Sequence, residues 1–229
     1  MKWIDDFVSL IFPKICAGCG NSLWKHEEVI CRICEYHLPK TNFHLDPENA
    51  ITRLFWGRVN IEHGTAFLWF NKGSMVQKIV HQLKYKGKKE IGVYFGEQYG
   101  LVLQTIFSYH SVDAIIPVPL HKKKYMQRGY NQSESFAIGL SKSMKIPVER
   151  HLLMRLKATE TQTRKSRFNR YQNVKDTFIT GNPAPFLGKH LLLVDDVITT
   201  GATLESCVLA LQEIPGIKIS IACIATAML

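Results

Sequence analysis

The stretch HLLLVDDVITTGAT, residues 190–203, constrains the chain more than any other. Leu191 to Val194 are four consecutive apolar residues with no polar side to offer solvent, which predicts a strand covered on both faces, as in a parallel α/β sheet. Asp195 and Asp196 follow at once. A pair of like charges is tolerable where a strand leaves the core, and the carboxyl ends of strands in open parallel sheets are where ligands bind. Thr199, Thr200, Gly201, Ala202 and Thr203 then read as a turn into a helix. Their hydroxyls, backbone N–H groups and the positive helix end converge on a point that suits a phosphate, and Gly201 permits close approach. Two acids accepting from vicinal hydroxyls beside a phosphate cradle describe a ribose 5-phosphate. The plainer alternative, a strand end and an N-cap, fits a lone Asp-Asp pair but not this order of apolar, acidic and Thr-Gly residues.

The 229 residues suffice for one full core, or one core with a small appended module. TAFLWF (65–70) reads as a strand, and the apolar positions 75, 76, 79, 80 and 83 trace a helix face stopped by Gly87. EIGVYFGEQYGLVLQTIF continues as helix, VDAIIPVPL as a short strand, and NQSESFAIGLSKSMK as a helix with Asn131 or Ser133 as its N-cap. ATLESCVLALQEI is a further helix and IKISIACIATAML a last strand. Strands alternating with helices predict an α/β domain with a parallel sheet.

Near the N-terminus, Cys16 and Cys19 form one C-x-x-C pair and Cys31 and Cys34 a second, 11 residues on. Two such knuckles suit one tetrahedral zinc ion. Disulfides are disfavoured in a reducing compartment, and a redox C-x-x-C would not recur at this spacing. Four protein ligands close the site, so the zinc is expected to be structural. His26, His37 and His44 read as surface residues, and Cys207 and Cys223 as small buried hydrophobes.

Charge is uneven. Residues 119–175 carry 14 Lys/Arg against three acids, leaving 15 against 16 elsewhere, so the net +10 sits in one quarter of the chain. This concentration favours an anionic ligand over a merely solvated face. No apolar run reaches the roughly 18 residues of a membrane span, and the N-terminus lacks a secretion signal; a cytosolic protein is expected. P-loop and G-x-G-x-x-G patterns are absent.

HLLLVDDVITTGAT resembles the 5-phosphoribosyl-1-pyrophosphate (PRPP) motif of type I phosphoribosyltransferases. The resemblance implies that Asp195 and Asp196 hold the ribose hydroxyls and Thr199 to Thr203 the 5′-phosphate, with Mg²⁺ accompanying PRPP. With the four-cysteine module, HQLKYKG, IIPVPL, RGYNQSESFA and the spaced residues Arg155, Gln162, Arg167, Arg170, Asn173 and Phe178, nearly the whole chain is similar to the ComF (ComFC) competence proteins.

That family implies a role in DNA uptake during natural transformation, on a phosphoribosyltransferase-like domain with a zinc-ribbon module. The expected division is 1–45 for an N-terminal helix and zinc module, 46–110 for a hood or connecting segment, and 111–229 for the PRPP-binding domain. The start at Met1-Lys2-Trp3 argues against a glutamine-using N-terminal domain. Lys122, Lys123, Lys124 and Arg128, with Arg164, Lys165, Arg167 and Arg170, are candidates for pyrophosphate or nucleic acid. Their number, interleaved with Tyr125, Tyr130, Phe168 and Tyr171, exceeds what pyrophosphate needs and fits a strand-tracking groove. Two readings stand: a competence factor binding PRPP and single-stranded DNA, with a helicase or recombination mediator as partner, or a stand-alone phosphoribosyltransferase acting on a base or amine. No catalytic residue is identified.

Overall fold

The computed structural model describes residues 13–156 and 177–227. In chain order these form α1 (Arg32–Tyr36), α2 (Ala50–Leu54), β1 (Gly64–Phe70), α3 (Met75–Tyr85), α4 (Lys89–Leu103), β2 (Ala114–Pro117), α5 (Lys122–Arg128), α6 (Gln132–Met144), β3 (Leu153–Arg155), β4 (Phe178–Thr180), β5 (His190–Ile198), α7 (Ala202–Leu211) and β6 (Lys218–Ala227). A parallel sheet has the order β1-β6-β5-β2, and β3 and β4 make a small antiparallel pair.

The apolar run works as expected of a strand buried on both faces. Successive side chains of a strand point to opposite faces. Leu192 and Val194 accordingly join one buried cluster with Phe67, Leu83, Phe95 and Phe136, while Leu191 and Leu193 join another with Ile51, Phe55, Leu204 and Val208. Helices α3, α4 and α6 supply the first layer and α2 and α7 the second. The sheet is therefore the middle of three layers.

The segment 46–110, expected as a hood, gives its strand β1 to the edge of this same sheet, paired in register from Gly64↔Ile221 to Phe70↔Ala227. Thr65 to Leu68 are buried, which places that segment in the main α/β body. The basic run after β2 forms the helix α5. His121 caps it by accepting from the Lys123 N–H at 3.2 Å, and Gly129, at φ 77°, ends it in the left-handed conformation. Of the two candidate caps for α6, Asn131 takes the role. Its Oδ1 accepts from the Ser133 N–H at 3.1 Å and its Nδ2 donates to the Val118 carbonyl at 2.9 Å, tying the helix to the end of β2.

Helices α4 and α6 approach so closely that backbone meets backbone. A Cβ on Gly96 would lie 2.3 Å from the Phe136 carbonyl oxygen, and one on Gly139 would lie 2.1 Å from that of Val93. This contact seats the start of α6, and hence Ser133, at the carboxyl edge of the sheet.

Candidate functional site

Strand β5 does not end at its acids. It runs on to Ile198 because β6 is long enough to pair with it there, Val197↔Ala225 and Ile198↔Thr226. Asp195 and Asp196 thus sit within the paired strand, near its carboxyl end, and meet different partners. Asp195 Oδ1 accepts from the Ser133 hydroxyl at 2.7 Å and from the Asp196 N–H at 2.8 Å. Asp196, buried, pairs with Lys84 Nζ at 2.9 Å. Burial, and then the neighbouring Asp196 charge, push the Asp195 carboxyl up to about 7, against the two hydrogen bonds and Lys84, which pull it down. The adjacent acids therefore need not both be ionised near neutrality.

The turn that follows lines a small cavity of about 50 Å³, walled by Asp195, Val197 and the residues from Ile198 to Leu204. Thr199, Thr200, Ala202 and Thr203 are exposed there, and no side chain caps the first turn of α7, leaving its N–H groups to the cavity. Gly201 is the N-cap at φ 74°. It is required twice over, since a Cβ would also lie 2.9 Å from Leu54 Cδ2. Its close approach is to α2, in addition to whatever the cavity receives.

Two residues that shape this turn were not singled out from the sequence. Arg58 donates to the Thr200 carbonyl at 3.1 Å and the Leu54 carbonyl at 3.2 Å, and pairs with the Glu205 carboxylate in α7. It thus clamps the turn from both sides. No local signal marks it, because its partners lie up to 147 residues away. Lys84 had a signal, its place in HQLKYKG, but nothing in that stretch names Asp196 as its partner.

The four cysteines converge. All four Sγ atoms lie within 4.8 Å of one another, and Cys19 and Cys31 are 3.8 Å apart. A tetrahedron with metal–sulfur bonds of about 2.3 Å has an edge of about 3.8 Å, so the donor set fits a divalent ion such as zinc. Burial would push the Cys16 thiol up, but the N–H groups of Cys19, Cys31 and Gly18 directed at its sulfur outweigh burial and bring it to about 6. Among the histidines read as surface residues, His37 and His26 are exposed, while His44 is half-buried with its Nδ1 lacking a partner. Cys207 and Cys223 are buried, as expected.

Lys122, Lys123 and Lys124 are exposed along α5. Arg128 is half-buried, donating to Gln132 Oε1 at 2.7 Å and lying 5.3 Å over the Tyr85 ring. Tyr130 is an anchor, its hydroxyl donating to the Leu83 carbonyl. Arg164, Lys165, Arg167 and Arg170, with Phe168 and Tyr171, lie outside the described residues.

No family model matches the chain. Among curated proteins, it is 28% identical to the DNA utilization protein YhgH of Escherichia coli K12 over 195 residues, covering 82% of this chain and 80% of that protein. It is 26% identical to the competence protein ComFC of Bacillus subtilis 168 over 214 residues, covering 93% and 84%. A shorter match to competence protein F of Haemophilus influenzae is 42% identical over 96 residues, covering 41% of each. Among solved structures, the glutamine PRPP amidotransferase of B. subtilis complexed with ADP and GMP superposes with a TM-score of 0.42 at 21% identity, over 62% of this chain and 30% of that one. That likeness is too loose to carry a function. The sequence matches, extending over most of the chain, make it similar to the DNA utilization protein YhgH and the competence protein ComFC, on a parallel-sheet α/β fold.

Proposed function

We propose that this protein is a competence-associated factor for DNA uptake that binds PRPP at the β5–α7 turn and single-stranded DNA through its basic surface. One observation carries the reading: Asp195, three threonine hydroxyls and the uncapped start of α7 meet around one cavity at the carboxyl edge of a parallel sheet, with Asp196 next to Asp195 in the strand. Such an edge is where a sugar phosphate finds N–H donors, a helix dipole and carboxylate acceptors together. In this reading Asp195 and Asp196 accept from the ribose hydroxyls, and Thr199 to Thr203 surround the 5′-phosphate. PRPP enters as its magnesium complex, and the cations of α5 lie on the pyrophosphate side. The cysteine site holds zinc as a structural ion. The relatives' names, competence protein and DNA utilization protein, support the DNA half of the proposal.

The test is PRPP-induced thermal stabilisation in the presence of Mg²⁺. Asp195→Asn combined with Asp196→Asn is expected to remove most of the shift, since each charge-assisted hydrogen bond contributes roughly 1.5–3 kcal/mol. An undiminished shift in the double variant would make the acids architectural and end this reading of the site.

A further inference from the structure

Beyond α5, one exposed surface combines positive charge, an aromatic face and a groove. Lys78, His81 and Tyr85 are all exposed and recur at three- and four-residue spacing, so they form one stripe along α3. Tyr85 is 56% exposed at the end of that stripe. Its ring lies 5.0 Å from that of His81, and the Arg128 guanidinium sits 5.3 Å over it. Arg128 Nε is buried without a hydrogen-bond partner, so its charge is left to act on the ring and on whatever approaches it. Beside the stripe runs a groove of about 460 Å³ between α3 and the first cysteine knuckle, Ile15 to Gly20, and no acid lines it. Lys86 and Lys124 are exposed, Lys86 next to Tyr85 in the chain and Lys124 one helical turn before Arg128.

We propose that this groove is the path of a single nucleic-acid strand, with Tyr85 as the platform on which a base stacks. The proposal rests on the DNA-binding reading above and gives that reading a route along α3 and the cysteine knuckle that takes only Lys124 and Arg128 from α5. Phosphates run along Lys78, Lys86 and Lys124. Four thiolates around a divalent ion keep a net negative charge, which steers the phosphates to the α3 wall and away from the knuckle. The base lies on the open part of the Tyr85 ring, beside Arg128. A single strand fits better than a duplex because only unpaired bases present a free face to an aromatic ring.

Fluorescence anisotropy of a labelled, mixed-sequence single-stranded oligonucleotide on the metal-loaded full chain tests this. Tyr85→Ala is expected to weaken binding roughly ten-fold, with Tyr85→Phe near wild type, as base–ring stacking requires. Lys78→Ala should lower the magnitude of the slope of log affinity against log salt by about 0.7. Both variants should keep the wild-type melting temperature, because both side chains are exposed. An oligonucleotide carrying 5-iodouridine should photocrosslink to the peptide containing Tyr85. Absence of binding by the wild-type chain at low salt would overturn the groove and the DNA-binding reading together. Wild-type binding that Lys122→Ala and Lys123→Ala abolish, but Tyr85→Ala and Lys78→Ala leave untouched, would overturn the groove alone.

Discussion

Asp195 sits in an environment that moves its carboxyl far from its ordinary chemistry. Its carboxyl, ordinarily near 3.8, is raised to about 7 by burial and by the adjacent Asp196. A group that binds its proton more tightly in the native than in the unfolded chain favours the native state fully below the unfolded value. That advantage is lost as pH rises through the native one. Asp195 should therefore erode stability between about pH 4 and pH 7. Asp195→Asn, whose amide oxygen can still accept from Ser133, is expected to raise the melting temperature relative to wild type. The gain should grow across that window and level off above it, at roughly 1–3 kcal/mol. Melting curves across the pH range check this, and a gain independent of pH would mean that Asp195 is not held protonated. The same burial gives the residue a use: a carboxyl whose charge is disfavoured despite its two donors gains most when a ligand supplies more.

The helices α4 and α6 decide where Ser133, which donates to Asp195, sits. Gly96 and Gly139 let the two backbones touch, and that contact sets the start of α6, where Asn131 caps the helix and Ser133 reaches Asp195. Gly139→Ala places a methyl group 2.1 Å from the Val93 carbonyl oxygen, so the helices must separate. The expected cost is about 1–3 kcal/mol or more in urea denaturation. PRPP affinity should fall with it through displacement of Ser133. An unchanged denaturation midpoint would show that the pair of helices can slide freely. The glycines of GVYFGEQYG at four-residue spacing are visible in the chain, but a small-residue stripe names no partner. By contrast, the three consecutive lysines of α5 show no apolar period that marks a helix, although His121 and Gly129 bound one there.

The cysteine site and the α/β body are one cooperative structure. Cys16, Ala17, Val29, Ile30, Cys34 and Leu38 belong to the same buried cluster as Phe136, Leu192 and Ala222, and Gln82 Nε2 donates to the Ala17 carbonyl at 2.7 Å. Removing the metal with a chelator, or replacing Cys31 with Ser, is therefore expected to lower a single global melting transition by roughly 10 °C or more, at about 2–4 °C per kcal/mol for a chain of this size. Two separate calorimetric transitions, or an unchanged one, would contradict it. The convergence of the four cysteines, the doubly buried strand, most helix spans and the acid–threonine turn were all legible beforehand, because each is a pattern among near neighbours in the chain, governed by helical or strand period and by cysteine spacing. The pairs Arg58–Thr200, Lys84–Asp196, Ser133–Asp195 and Arg128–Tyr85 were not. Their members lie dozens of residues apart, and no local preference for helix, strand or turn distinguishes them from other surface side chains. They meet because the strand order β1-β6-β5-β2 and the helices packed on it bring the ends of α2, α3, α5 and α6 to one edge of the sheet, an arrangement set by burial of the whole core.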